Sequence, residues 1–194
     1  MDQMTQQAIT ANALSILTSN IMDIRAALLK EHSKEQTLKI VHYIGENKAR
    51  FALLMDLFLN DEYRVTQRAA WVVGHTAEKN PQLFQPYLQV LIENLQKSVH
   101  DAIKRNTLRV LQDIDIPEDL LGLAAEICFS FLDDPKEPVA VRVFSMTVCY
   151  NICVKEPDLS NELKLIIEDH LPHGSAGFKS RGKRTLKLLD KLMR

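Results

Sequence analysis

Four short stretches of this chain share one arrangement of apolar residues, and the stride between them limits what the chain can become. They are residues 39–45, 68–74, 106–112 and 144–150, which end on Gly45, Gly74, Gln112 and Tyr150 at intervals of 29, 38 and 38 residues. Recurrence at roughly 20 to 50 residues marks architectures in which each unit packs only on its neighbours. A stride near 38 holds two helices and their turns, so the repeating unit is expected to be a helix pair.

Each recurring stretch is preceded by a second amphipathic run. Phe51, Leu54, Met55 and Phe58 precede Asp61; Leu83, Phe84, Leu88, Leu91 and Ile92 precede Asp101. Residues 120–132 lead to Asp133, Asp134 and Pro135, and residues 163–167 lead to Leu171 and Pro172. Apolar residues recur at helical spacing in each run and stop at a breaking or capping group, which predicts an A helix, a tight turn and a B helix. Ser33 and Gln36 have the form of a capping box, in which the Gln36 side chain reaches back to its cap. Pro81, Pro117, Pro138 and Pro157 fall near proposed helix starts, where a missing N–H is tolerated. Pro86 sits in the first turns of its run and is expected to bend the helix or mark its true start.

With only 6 Gly and 7 Pro in 194 residues, the chain has too few turns for the short strands of a sandwich or barrel. A 46% hydrophobic and 25% charged composition is that of a folded chain, and no Pro-rich or Ser/Gly-rich linker divides it. The expected fold is all-α, a right-handed α-α superhelix of four to five helix pairs in one domain, 1–194. Residues 1–32 are read as N-terminal capping helices, 33–175 as helix-pair repeats and 176–194 as a basic C-terminal capping helix. A lone pair buries too little apolar area to offset its ordering entropy, so each unit needs neighbours and the end units need a polar outer side.

Within residues 65–76, Val65, Ala69, Ala70, Val73 and Gly74 fall on the apolar and small positions of a HEAT-repeat second helix, whose pattern is Val-Arg-x-x-Ala-Ala-x-x-Leu-Gly-x-Ile. Val141, Arg142, Cys149 and Ile152 resemble a degenerate further copy. The chain is thus similar, over residues 33–194, to the HEAT-repeat and armadillo-like solenoids. It departs from their pattern where Thr66 replaces a buried Arg and where Gln112 and Tyr150 replace the small Gly. The resemblance implies a fold and a surface for partners; it does not specify a reaction.

The start of the chain has neither a basic segment nor the apolar core of a secretory signal, and no run of about 18 apolar residues is present, so a cytoplasmic protein without a membrane span is expected. Cys128, Cys149 and Cys153 lie in apolar helical contexts, as free thiols of a reducing compartment would. Cys149 and Cys153, or His170 and His173, do not form a four-ligand set with zinc spacing, and no metal or other cofactor is expected. Nucleophile elbows, phosphate-binding glycine loops and metalloprotease signatures are not found.

At 100° per residue, His42, Trp71, Arg109 and Thr147 occupy one position of successive B helices. One turn away lie Gln67 and His75, and Arg105 and Asp113. If the units stack as in a HEAT solenoid, His42, Gln67, Trp71, His75, Arg105, Arg109 and Asp113 line the inner, concave face and engage a protein or peptide, with Trp71 as an exposed aromatic anchor. The other reading of Trp71 is packing over the adjoining repeat.

Charge gives a second candidate. Residues 176–194 hold seven basic residues and one acid, a local balance of +6, against −7 for the remainder. Lys179, Lys183, Arg184, Lys187 and Lys191 could hold an anionic surface, nucleic acid or acidic protein, or could simply solvate the end of the stack. A HEAT-like solenoid also carries the alkylpurine DNA glycosylases, and Arg105, Arg109 and Asp113 lie near Trp71 as such a site would require. An acidic body argues against duplex DNA in the groove, so nucleic acid is the less favoured partner.

Overall fold

A computed structural model describes residues 21–194. Its ten α-helices are α1 (Ile24–Lys30), α2 (Lys34–Ile44), α3 (Lys48–Asn60), α4 (Tyr63–Lys79), α5 (Leu88–Leu95), α6 (Asp101–Leu111), α7 (Glu118–Asp133), α8 (Val139–Lys155), α9 (Ser160–His170) and α10 (Ala176–Leu192). Tight 3-10 turns at Pro81–Tyr87 and Pro157–Leu159 lead into α5 and α9. There is no strand among the described residues.

Consecutive helices pair, α1 with α2, α3 with α4, α5 with α6, α7 with α8 and α9 with α10, and the pairs stack in chain order. The result is two layers, an A layer of odd-numbered helices and a B layer of even-numbered ones. Neighbouring B helices pack along more of their length than neighbouring A helices. The B layer is therefore the tighter, inner arc of the stack.

Local chemistry explains the helix starts. Asp23, Ser33 and Asn47 accept hydrogen bonds from the backbone N–H groups of Ala26, Gln36 and Arg50 at 3.0, 3.1 and 3.0 Å, which satisfies donors that the first turn leaves unpaired. The Gln36 half of the expected capping box is absent: its side-chain amide donates instead to the Ala27 carbonyl at 2.8 Å. Burial of Gln36 between α1 and α2 makes that carbonyl the nearer acceptor. Pro117 and Pro138 stand immediately before α7 and α8, and Pro81 opens a 3-10 turn. Pro86 lies inside that turn, one residue before its end at Tyr87, and α5 starts at Leu88. Gly45 closes α2 at φ +50°, a left-handed conformation that a side chain would disfavour.

One unbroken core runs between the layers. Phe51 of α3 meets Phe84 edge-on, centroids 4.8 Å apart, joining the second pair to the third. Leu108, Cys128, Met146 and Cys149 continue it, and Phe178 and Leu189 carry it into α10. The position where the HEAT pattern has Arg takes a polar residue in each of four B helices. Arg142 donates from Nε to the Leu132 carbonyl at the end of α7, 2.9 Å away, and its guanidinium lies 4.5 Å from the Phe178 ring centre. Thr66, buried like Arg142, donates to the Asp61 carbonyl at 3.1 Å. Thr37 bonds the Ser33 carbonyl at 2.9 Å, and Lys104 pairs with Glu137 beneath the Phe131 ring. Thr66 thus does by hydroxyl what Arg142 does by guanidinium, which is to satisfy a backbone carbonyl at a helix end or turn.

Candidate functional site

The helices share the chain's charge unevenly. With His neutral, α2, α4, α6, α8 and α10 carry +1, +2, +2, +2 and +5, a B-layer total of +12. The A-layer helices total −4 and the remaining residues −9. The acidic balance outside residues 176–194 remains, but it is shared unevenly among the helices. Within the A layer the acid concentrates on α7, with Glu118, Asp119, Glu126 and Asp133, and on α9, and the rest lies on the connections. Linear bookkeeping misses this because each repeat alternates A and B helices, so windows longer than a helix average the two layers.

The residues of the expected inner row meet different fates. Trp71 is half-buried, its ring centre 5.4 Å from that of His32 in the α1–α2 turn and 6.1 Å from that of His75. Leu28, Ile40 and Arg68 surround its inner edge, so this ring packs over the preceding repeat as well as edging the B-layer face. His75 and Arg109 converge on Glu78: His75 Nδ1 lies 3.0 Å from its carboxylate, and Arg109 forms an ion pair with it across from α6. Burial opposes the charge on Glu78, but the hydrogen bond with His75 and the Arg109 cation outweigh it and hold the carboxyl below the usual range. Sequence reading missed Glu78 because its partners lie on two helices.

Gln67 is half-buried, and Arg105 and Asp113 are exposed. His42 is exposed beside Met22, Leu38 and Tyr43 at the N-terminal end of the described stack. It belongs to an end face, separate from the Trp71–Arg109 cluster, because no described helix covers α2 on that side.

On α10, Lys183, Arg184, Lys187 and Lys191 are exposed, whereas Lys179, one turn before Lys183, is half-buried. Arg181, not singled out in the sequence, bonds the Thr147 hydroxyl of α8 and lines, with Arg184, Tyr150 and Asn151, a cleft of about 360 Å³. The cleft opens on the inner side of the stack between α6, α8 and α10. Its one carboxylate among the described lining residues is Asp113. The signal that could have found it is Arg181 and Arg184 one helical turn apart, opposite Thr147 of the repeat row.

The three cysteines are buried and unpaired by disulfides. Burial pushes the Cys153 thiol up to about 11, and burial together with Cys128 raises Cys149 as well. They are core residues with little thiolate at neutral pH. His170 is tied to Asp133 at 3.0 Å, and no group of three or more metal-ligating side chains exists among the described residues.

Stacked antiparallel pairs with a shared core and a tight inner helical layer define an α-solenoid. A family model described as a HEAT repeat domain matches residues 24–189. The chain belongs to the HEAT-repeat family. Neither a curated protein nor a solved structure matches it. No helix among the described residues is long and apolar enough to cross a membrane.

Proposed function

We propose that this solenoid is a non-catalytic interaction module that receives an acidic segment of a partner protein along its B layer. The segregation of charge carries this reading: +12 on the B-layer helices against −4 on the A-layer helices. Opposite potentials steer a negatively charged partner to one side of the molecule and away from the other. Arg105, Arg184 and Arg181 offer planar donors suited to carboxylates, and Arg184 and Arg105 make no side-chain pairing among the described residues.

The same cations could draw in nucleic acid, as a glycosylase-like solenoid would. Glu78, Asp101 and Asp113 are interleaved with them on α4, on α6 and after it, and an extended phosphate chain would have to pass all three. His32 also covers part of the Trp71 ring that a base would need for stacking. A protein segment, which can place neutral residues opposite those acids, suits the face better.

Retention of a labelled acid-rich peptide, a lysine-rich peptide and single-stranded oligothymidylate by the immobilised full chain tests this reading. The acidic peptide should be held, should elute as salt rises, and should be lost when Arg105→Glu and Arg184→Glu are combined. Equal retention by the doubly substituted protein, or selective retention of the oligonucleotide, would refute the proposal.

A further inference from the structure

A second cleft adjoins the cationic one. It measures about 370 Å³ and is walled by Ile114, Ile116, Leu121, Ile152 and Val154, where the α6–α7 connection meets the last turns of α8. Gln112, Asp113 and Asn151 line both clefts. That common wall is braced, because Asn151 donates from Nδ2 to the Gln112 carbonyl at 2.8 Å. Nearby, Lys155 donates to the Ile116 carbonyl at 2.7 Å and pairs with Asp115, which fixes the outer rim of the apolar cleft. Val154 is 51% exposed, although it sits on the same helix as fully buried Ile152 and Cys153.

We infer that the two clefts act together as a bipartite recognition site for a peptide segment that carries an apolar side chain and a carboxylate on the same side. This rests on the reading of the B layer as the receiver of an acidic protein segment and specifies the residue that must accompany the acid. Arg181 and Arg184 take the carboxylate, and Ile114, Ile116 and Val154 take the apolar group. In an extended peptide, alternate side chains share a side, so a segment that alternates apolar and acidic residues through neutral spacers presents both groups to the two clefts. Charge complementarity fixes the acidic half; in the other half Ile114, Ile116, Leu121, Ile152 and Val154 offer apolar wall to a side chain, and Asp113 and Asp115 at its edges disfavour a second acid. Asp113 stands between the two and opposes the acid. Its removal should tighten binding, a result that a purely structural Asp113 would not give.

Fluorescence anisotropy with two labelled peptides tests the pairing: one alternates Leu and Glu through Ser spacers, and in the other Ser replaces Leu. The Leu-containing peptide should bind the full chain about tenfold more tightly. Val154→Ser, at an exposed position, should reduce that advantage partway, and Val154→Glu should abolish it and weaken both peptides by repulsion of their acids. Arg184→Glu should weaken both peptides, and Asp113→Asn should strengthen both. Equal affinity for the two peptides would overturn the apolar half of the site while leaving the acidic-segment reading intact. Binding of neither peptide, with oligothymidylate bound and released by Arg184→Glu, would overturn both in favour of nucleic acid.

Discussion

The two ends of this solenoid use arginine in opposite ways. Towards the N-terminus, Arg68 of α4 donates to the Leu28 carbonyl at 2.7 Å, Arg50 of α3 donates to the Tyr43 carbonyl at 2.7 Å, and Arg25 of α1 forks onto Asp61 at 2.8 and 3.0 Å. Those guanidiniums are fasteners between successive helices. On α10, Arg184, Lys183, Lys187 and Lys191 have no side-chain partner among the described residues, and only Arg181 reaches across to α8. Arg25, Arg50 and Arg68 each find an acceptor on another helix or turn of the first two pairs, whereas described residues lie against α10 only towards α8 and α9.

The comparison is most exposed to failure at the joint that holds α10. Phe178 is 1% exposed and lies against Arg142 of α8. Phe178→Ala should lower the unfolding free energy in urea by about 3–5 kcal/mol, through lost burial and the cavity left behind. A loss below about 1 kcal/mol would mean that α10 is not part of the shared core. Gly182 tests the same joint from the opposite direction, since a Cβ there would lie 2.8 Å from a Leu171 methyl and 3.1 Å from Ile167. Gly182→Val should therefore overpack α10 against α9 and cost about 1–3 kcal/mol.

The contrast between fastening and available cations is sharpened by one pair of variants. Arg68→Met keeps the aliphatic stem but deprives the Leu28 carbonyl of its donor, and should cost about 1 kcal/mol. Arg184→Met should stay within about 0.5 kcal/mol of wild type. Equal losses at the two sites would erase the distinction.

The smallest effect belongs to Glu78, whose carboxylate is about half exposed. Glu78→Gln should cost under about 1 kcal/mol, as partly screened ion pairs do. Because the folded-state pKa of Glu78 is depressed, its contribution is fully present above the unfolded value of about 4.3 and is lost as pH falls through the lower folded value. The stability difference between wild type and Glu78→Gln should accordingly be flat near neutrality and shrink on acidification below about pH 4. A difference that grows on acidification would reverse the assigned sign.

Residue by residue, the sequence spoke clearly wherever one helix sufficed. The stride that ends on Gly74, Gln112 and Tyr150, the apolar spacing of Phe51, Leu54 and Phe58, and the prolines before α7 and α8 predicted helix pairs that the structure contains. Helical periodicity and capping act within about one turn, so they are written in consecutive residues. Ser33 could be read as a cap for the same reason. Gln36 could not, because its acceptor is supplied by Ala27 of the preceding helix.

What only the tertiary structure decided was which side chains share a neighbour across repeats. Trp71 under His32, Arg109 on Glu78, Arg181 on Thr147, and the wall of Gln112, Asp113 and Asn151 between two clefts each join residues from different elements. The division of charge between layers belongs to the same category, since a chain with a net charge of −1 acquires a net basic layer only when stacking sorts alternate helices into separate layers. Interaction falls off over about 10 Å in salt solution. Proximity in space therefore governs what this surface attracts, and order along the chain does not reveal that proximity.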